Sequence, residues 1–566
     1  MRTLPVVSFA VLSLLACQIE ELDPKAPLAS PEAVGAGTGA TGQPSAGGAA
    51  GPVTIGAGTD AGSGGAPGAG GGPVASVDGG PTTSTPSTPS PGALPMSATF
   101  QLTLVPEVVV PTARRVNVAI PLAPGALTNL ANIELRVGGA PLATARRALA
   151  SWPDGSIRSV QLQFERVVTA NTTVDVVVGQ AATGGSLALV PAAQTLVSSG
   201  GANLPGVWAL LPAAHLAASR VAGPALPSSA SAGTPAAAWD RVCNANTFNT
   251  AAWNAVRAEQ GSWLFDRPTA LYRNYQRTGA AGALRSAFLE ASIYRDGITG
   301  TGSATRIPVA PDDLKYHYTQ GLAVHYLLTG DDRFREAAEN VATRAHDLWP
   351  SPGYAGGADF WTERHAGFGL LAYEWALAVT DDKATTFASW ASAAVAGYVS
   401  VQGTYPAGYT NAAERCFAHD AEAHGEPYGY FGCSPWMSAI LADALDGHAD
   451  RLARSGDASG AALVRESLVR LGRFVANQGR DATGKPYYWA GVGVTSNEVD
   501  DFDEHWGESA YLVALAWHWS GKSDAGLRQA LDQLTLGFDQ HGEAGQLRSF
   551  NWQCRSGVMA PFYSRP

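Results

Sequence analysis

Four stretches of the chain bring together side chains that proton transfer and anion binding require. Asp313, Lys315, Tyr316, His317 and Gln320 fall side by side. Trp361, Glu363, Arg364 and His365 open DFWTERHAGFGLLAYEWALAVTDD, residues 359–382. The segment ERCFAHDAEAHGEPYGYFGCSPW carries His419, Asp420, His424, Glu426, Tyr428, Tyr430 and Trp436. NEVDDFDEHWGES carries Asp500, Asp501, Asp503, Glu504, His505 and Trp506. Aromatic faces interleaved with His, Arg and carboxylates suit sugar rings: the faces stack on C–H edges and the polar groups fix hydroxyls. We therefore expect Lys315, Trp361, Glu363, Tyr428, Tyr430, Trp436 and Trp506 to bind substrate.

For an acidic polysaccharide the matching chemistry is β-elimination. A positive or hydrogen-bonding group must neutralise the uronate carboxylate, acidify the C5 proton and stabilise the enolate-like state. A base takes that proton and an acid protonates the leaving O4. Lys315, Arg364 and a neutral His suit the first role, His365, His317 or His505 the base, and Tyr316 or Tyr428 the acid. Two other readings use the same residues. A glycoside hydrolase would pair Glu363 with Asp501, Asp503 or Glu504, at about 5–5.5 Å for retention or about 6.5–9.5 Å for inversion. A surface glycan-binding protein would keep the aromatics without a competent acid–base pair. No metal or cofactor is assigned, although His419, Asp420, His424 and Glu426 (H-D-x3-H-x-E) could take calcium or zinc.

Each residue also has a plainer role. Asp or Glu before a helix is most often a cap, which suits Asp313, Asp359 and Asp503. A lone His on an apolar stripe is usually a hydrogen-bonded core residue, and Tyr or Trp at helical spacing is usually core. Capping does not explain why Tyr316-His317, Arg364-His365, His419/His424 and His505-Trp506 sit at comparable places in successive repeats. That recurrence predicts a common lumen.

Those repeats are helical pairs, expected at 262–277 with 281–295, 313–329 with 331–348, 361–380 with 383–400, 435–455 with 458–478, and 504–520 with 524–540. TGDD (329–332) and TDDK (380–383) join pairs by a stop and an Asp cap. The first helix of each pair is aromatic and apolar while the second carries more charge, as expected for inner and outer helices. Stacked hairpins of this kind can close into a ring, so an α/α toroid over 240–566 is expected. Before it, TFQLTLV, RRVNVAIPL, IELRVGG, SIRSVQLQF and TTVDVVVG alternate with period two between turns. That pattern predicts an antiparallel β-sandwich over 97–225.

RRVNVAIPLAPGAL with ASWPDGSIRSVQLQF resembles the N-terminal β-domain of exo-acting rhamnogalacturonan lyases, and KYHYTQGLAVHYLLTGDDRFREAAE resembles the hairpins of their toroid. The resemblance covers most of 100–540 and implies a polysaccharide lyase built from a β-sandwich and an α/α toroid. It assigns no catalytic residue position by position, and no counterpart of the family's C-terminal β-domain is expected after the last helix pair.

MRTLPVVSFAVLSLLAC has a basic start, a short apolar run and Leu14-Leu15-Ala16-Cys17, the pattern of a secretion signal ending in a lipobox. Cys17 is expected to become a diacylated N-terminus, the sole membrane attachment. Gln18 after it, by resemblance to bacterial lipoproteins, favours the outer membrane or cell surface. Residues 23 to about 95 are mostly Gly, Ala, Pro, Ser and Thr with almost no aromatics, so 18–96 is expected to be a disordered tether. With about 5–6 Å per square root of residue number, it would reach on the order of 45 Å. The net charge of −11 with 15% charged residues argues against a nucleic-acid partner, and a monomer is expected. Besides Cys17 the cysteines are Cys243, Cys416, Cys433 and Cys554, which allow three pairings. Cys416–Cys433 would close a local loop and Cys243–Cys554 would tie together the ends of the helical domain. Zinc ligation by these cysteines lacks a CxxC spacing.

Overall fold

Period-two alternation produces strands where it was read. The computed structural model describes residues 94, 96–244, 250–350, 362–420, 428–499, 505–542 and 548–565. The signal, Cys17, the tether, Asp359, Trp361, His424, Glu426, Asp500, Asp501, Asp503 and Glu504 lie outside them. Ten strands come first: β1 Thr99–Pro106, β2 Arg114–Pro121, β3 Ile133–Val137, β4 Ala140–Pro141, β5 Ala145–Ser151, β6 Ile157–Arg166, β7 Thr172–Val178, β8 Leu196–Ser199, β9 Ala202–Pro205 and β10 Val207–Leu210. They form antiparallel sheets ordered β10-β1-β7-β3-β4 and β2-β6-β5, with β8 and β9 as a separate pair. In β1 Leu102 and Leu104 point inward and Gln101 outward; in β6 Val160, Leu162 and Phe164 share one buried face.

The first run of strands ends at Leu210, and the chain turns helical inside the span expected for the sandwich. The helices are α1 Ala213–Ser219, α2 Ser228–Ser231, α3 Ala238–Val242, α4 Thr250–Val256, α5 Arg267–Thr278, α6 Ala281–Asp296, α7 Gln320–Thr329, α8 Asp332–Leu348, α9 Glu363–Leu377, α10 Ala384–Thr404, α11 Pro435–Arg454, α12 Ala458–Asn477, α13 Trp506–Trp519, α14 Ala525–His541, α15 Arg548–Arg555 and α16 Ala560–Tyr563. Between them run β11 Gly432–Cys433, β12 Tyr487–Gly491 and β13 Asn497–Val499, one small antiparallel sheet that periodicity did not reveal.

All five expected pairs form, with one correction. Residues 313–329 are not one helix: Asp313 caps a single 3-10 turn, Leu314–Tyr316, by accepting from the Lys315 N–H, and α7 begins only at Gln320. Tyr316 and His317 therefore sit before an inner helix rather than in it. The first helices of the pairs touch in order, α5 on α7, α7 on α9, α9 on α11 and α11 on α13, and α15 packs on both α13 and α5. Each of α6, α8, α10, α12 and α14 packs on its inner partner. Both expected disulfides are present, Cys243–Cys554 and Cys416–Cys433.

The polar face of β6 explains how the sheets seat on the helices. An α-helix leaves its last carbonyls without partners. Here Ser159 Oγ donates to Leu327 O (2.7 Å), Asn117 Nδ2 to Thr329 O (2.7 Å) and Arg147 Nη2 to Gly330 O (2.6 Å). The end of α7 is thus capped by the sheet. Gly330 has φ of +70° and a Cβ there would collide with the Gln161 side chain, so the TGDD stop requires glycine.

Candidate functional site

Three successive residues at the start of α9 reach three different neighbours. Thr362 is extended, and α9 runs from Glu363 as a helix with a mostly buried face. Glu363 points toward α11: its carboxylate accepts from Ser434 N–H (2.9 Å) and Ser438 Oγ (3.3 Å), and meets His419 Nε2 at 2.6 Å. His419 donates from Nδ1 to the Asp420 carbonyl (2.9 Å), and its backbone pairs with Gly432 beside β11. The Cys416–Cys433 disulfide joins the two chain segments that supply His419 and Ser434.

His365 points toward α7. Its Nε2 lies 3.3 Å from Asp313 Oδ1 and its Nδ1 lies 2.7 Å from Thr362 Oγ1. Burial pushes its pKa down to about 4, against the pull of the Asp313 carboxylate, so the ring is neutral at neutral pH. The carboxylate can only accept; Nε2 therefore carries the proton and Nδ1 accepts from Thr362. Asp313 is buried enough to resist ionisation, but hydrogen bonding to His365 and the charge of Lys315, 2.8 Å away, hold its carboxyl well below the usual range. Lys315 Nζ stands 5.6 Å from the Tyr316 ring. Burial and the nearby Arg364 charge lower the Lys315 pKa.

Arg364, between these two arms, points at Trp436, with its guanidinium carbon 5.7 Å from the ring centroid. Among the described residues it has neither hydrogen bond nor ion pair, and its Nε is buried without a partner. Burial depresses its pKa; Tyr488, Asp313, Tyr316 and Glu363 are close enough to pull the other way. Trp436 is the hub of the site: His505 stacks parallel at 4.9 Å, with Tyr488 at 5.7 Å, Trp552 at 5.7 Å and Phe265 at 5.6 Å. Beneath it a cavity of about 10 Å³, bordered by Phe265, Trp436, Glu508, Asn551 and Trp552, has room for about one water. A sugar would have to lie on the rim side of Trp436.

The structure thus brings Lys315, Tyr316, Glu363, Arg364, His365, Trp436 and His505 together, and Tyr428 joins them through Trp489, 6.0 Å from Tyr428 and 4.8 Å from His419. Other candidates sit elsewhere. His317 is buried and donates from Nδ1 to Asp313 O (3.0 Å); burial lowers its pKa to about 4. Trp506 stacks on His541 at 5.7 Å and covers Gly537 of α14, a packing position. Gln320 accepts from Arg555 Nη2 (2.8 Å) in the buried interior among the helices. Tyr430 lies farther out, donating to Glu498 (2.9 Å).

Sequence reasoning missed a buried cluster of charged residues among the helices. Asp443 of α11 accepts from Arg273 of α5 (2.8 Å) and Arg555 of α15 (3.0 Å), so one carboxylate ties three inner helices. No local signal marked it: α5, RPTALYRNYQRT, is polar in composition yet almost wholly buried. His419 has both ring nitrogens engaged and offers no lone pair to the H-D-x3-H-x-E metal set.

No family model matches the chain, and no curated protein is significantly similar to it.

Proposed function

We propose that the protein is a lipid-anchored polysaccharide lyase that cleaves a uronate-containing glycan by β-elimination, with an α/α toroid bearing the site and a β-sandwich supporting it. The cyclic order of inner-helix contacts supports the toroid. The observation that carries the activity is Arg364: a guanidinium with no hydrogen bond or ion pair among the described residues, facing an indole, with Lys315 close by. Such a group suits the carboxylate of a sugar stacked on Trp436.

In this reading Arg364 and Lys315 neutralise the uronate carboxylate and stabilise the enolate-like state as the C5 proton leaves. His505, beside Trp436, takes that proton, and Tyr316, beside Lys315, protonates the departing O4. His365 and Asp313 fix Lys315, while Glu363 and His419 fix the first turn of α9. His365 is therefore assigned a positioning role instead of the base. Hydrolysis by a carboxylate pair is less well served, because Glu363 is buried and its oxygens are engaged by Ser434 N–H, Ser438 Oγ and His419 Nε2.

Incubation with polygalacturonate and other uronate polysaccharides tests the activity. Products with a 4,5-unsaturated non-reducing end are expected; reducing ends without unsaturation would replace the reading with hydrolysis. Anchoring predicts palmitate incorporation that Cys17→Ser abolishes.

A further inference from the structure

His505 stands at the boundary where α13 begins, and Glu508 in the first turn reaches back toward it. His505 Nδ1 lies 3.9 Å from Glu508 Oε1, and the two side chains are buried, at 1% and 3% exposure. Glutamate at the third position of a helix has an ordinary use, bonding the backbone N–H groups there and opposing the helix dipole. Two features give this one another. Rings hold the imidazole on several sides: Trp436 parallel at 4.9 Å, Trp552 at 5.2 Å and Tyr488 at 6.2 Å. Its plane is therefore fixed, with Nδ1 the nitrogen near the carboxylate. Glu508 also borders the small cavity shared by Trp436, Asn551 and Arg555. Arg555 Nε and Asn551 Oδ1 are buried there without partners among the described residues, so the surroundings of the carboxylate are polar on that side.

We propose that Glu508 is a positioning residue for His505: it keeps the ring proton on Nδ1, leaves the Nε2 lone pair as the base and stabilises the imidazolium that forms. This role rests on the β-elimination reading above, since His505 is the base only there. As the C5 proton moves, the Nε2 lone pair forms the new N–H bond, and the electrons of the C–H bond pass into the enolate-like state. A separation of 3.9 Å is longer than a hydrogen bond, so the contact is electrostatic. An opposite charge that close raises an imidazole pKa by about 1–3.

The other charges near the ring are Arg364 of α9, which shares Trp436 with it, and Arg555 of α15. Both are cations and disfavour the imidazolium. Tyr488 of β12 is a further titratable neighbour. Asp500, Asp501, Asp503 and Glu504 precede the ring in the chain and lie outside the described residues.

The test is a histidine-selective nitrogen NMR titration of the protein, with His505 assigned by the signal lost in His505→Gln. In the parent the neutral ring should carry its proton on Nδ1. Glu508→Gln keeps the shape and hydrogen-bonding capacity of the side chain, so a role at the helix start survives it. The His505 pKa should nevertheless fall by at least about 1, and Asp503→Asn or Glu504→Gln should move it less. The proposal is overturned if the parent ring carries its proton on Nε2, or if it stays neutral down to about pH 4. An unmoved pKa in Glu508→Gln, or a larger fall in Asp503→Asn or Glu504→Gln, overturns it as well. None of these readings uses substrate. If no uronate polymer yields unsaturated products, the lyase reading falls while the titration still decides the pairing. With elimination, the rising limb of kcat/KM against pH should move down with the His505 pKa in Glu508→Gln; a slower enzyme with an unmoved limb would reduce Glu508 to a helix-start role.

Discussion

Glu363 Oε2 lies 2.6 Å from His419 Nε2, with both side chains buried and 56 positions between them in sequence. His419 donates from its other nitrogen to a carbonyl, so one proton sits on the line between the two groups. Removing one member of such a pair strands the other away from water. Glu363→Ala should therefore destabilise the fold by about 3–5 kcal/mol, whereas Glu363→Gln, which keeps the shape and an acceptor, should lose less. Chemical denaturation of the two variants checks the order; equal midpoints would show that the pair contributes nothing.

Acid should weaken the fold before ordinary carboxylates titrate. Burial lowers the pKa of His215, His317, His365 and His518 to about 4 and of His325 to about 3. The unfolded chain takes up these protons near pH 6.5, before the native state does. Their contribution is complete above about pH 6.5 and is lost as pH falls toward 4, at up to about 1.4 kcal/mol per pH unit for each. Three buried carboxyls oppose this: Glu290 is pushed up to about 7, Asp446 to about 6, and burial raises Asp266 as well, and all three restore stability as pH falls. Six histidines, counting His346 whose pKa burial also lowers, against three carboxyls, among the described residues, give a net loss between pH 6.5 and 4.5. Denaturation midpoints across that range should fall with pH, and less steeply in His325→Asn; a flat or rising profile would contradict the assignment.

The two disulfides should separate stability from activity. Cys243–Cys554 closes a separation of 311 residues and Cys416–Cys433 one of 17. Loop entropy alone makes removal of the first cost on the order of 5 kcal/mol and of the second about 3 kcal/mol. Yet the second joins the segments that hold Glu363. The pair Cys416→Ser and Cys433→Ser should reduce kcat more than its smaller stability loss would suggest, and Cys243→Ser with Cys554→Ser should do the reverse. Melting temperatures and initial rates on the same samples decide the matter.

Much of this architecture could be read from residue patterns because the patterns are local. TGDD and TDDK mark helix boundaries through capping, and the alternation in SIRSVQLQF marks a strand whose polar face later proves to cap α7. What could not be read is non-local. Nothing near Asp443 announces that Arg273 and Arg555 converge on it from positions 170 and 112 residues away. The break at Tyr318-Thr319, which removes Tyr316 and His317 from α7, comes from Asp313 turning back on Lys315 and His365. At the site, the grouping of polar helix starts was legible from their recurrence, but their roles were not. Engagement of both His365 nitrogens and the lack of a described partner for Arg364 depend on neighbours from other helices.

The most direct measurement compares the parent and Arg364→Ala on polygalacturonate and on the same polymer with its carboxyls reduced to alcohols. If Arg364 receives the uronate carboxylate, the parent should release unsaturated products from the acidic polymer only, and Arg364→Ala should lose about 100-fold or more in kcat/KM on it while folding as the parent does. Undiminished elimination by Arg364→Ala on the acidic polymer, or none by the parent on any uronate polymer, would contradict the account.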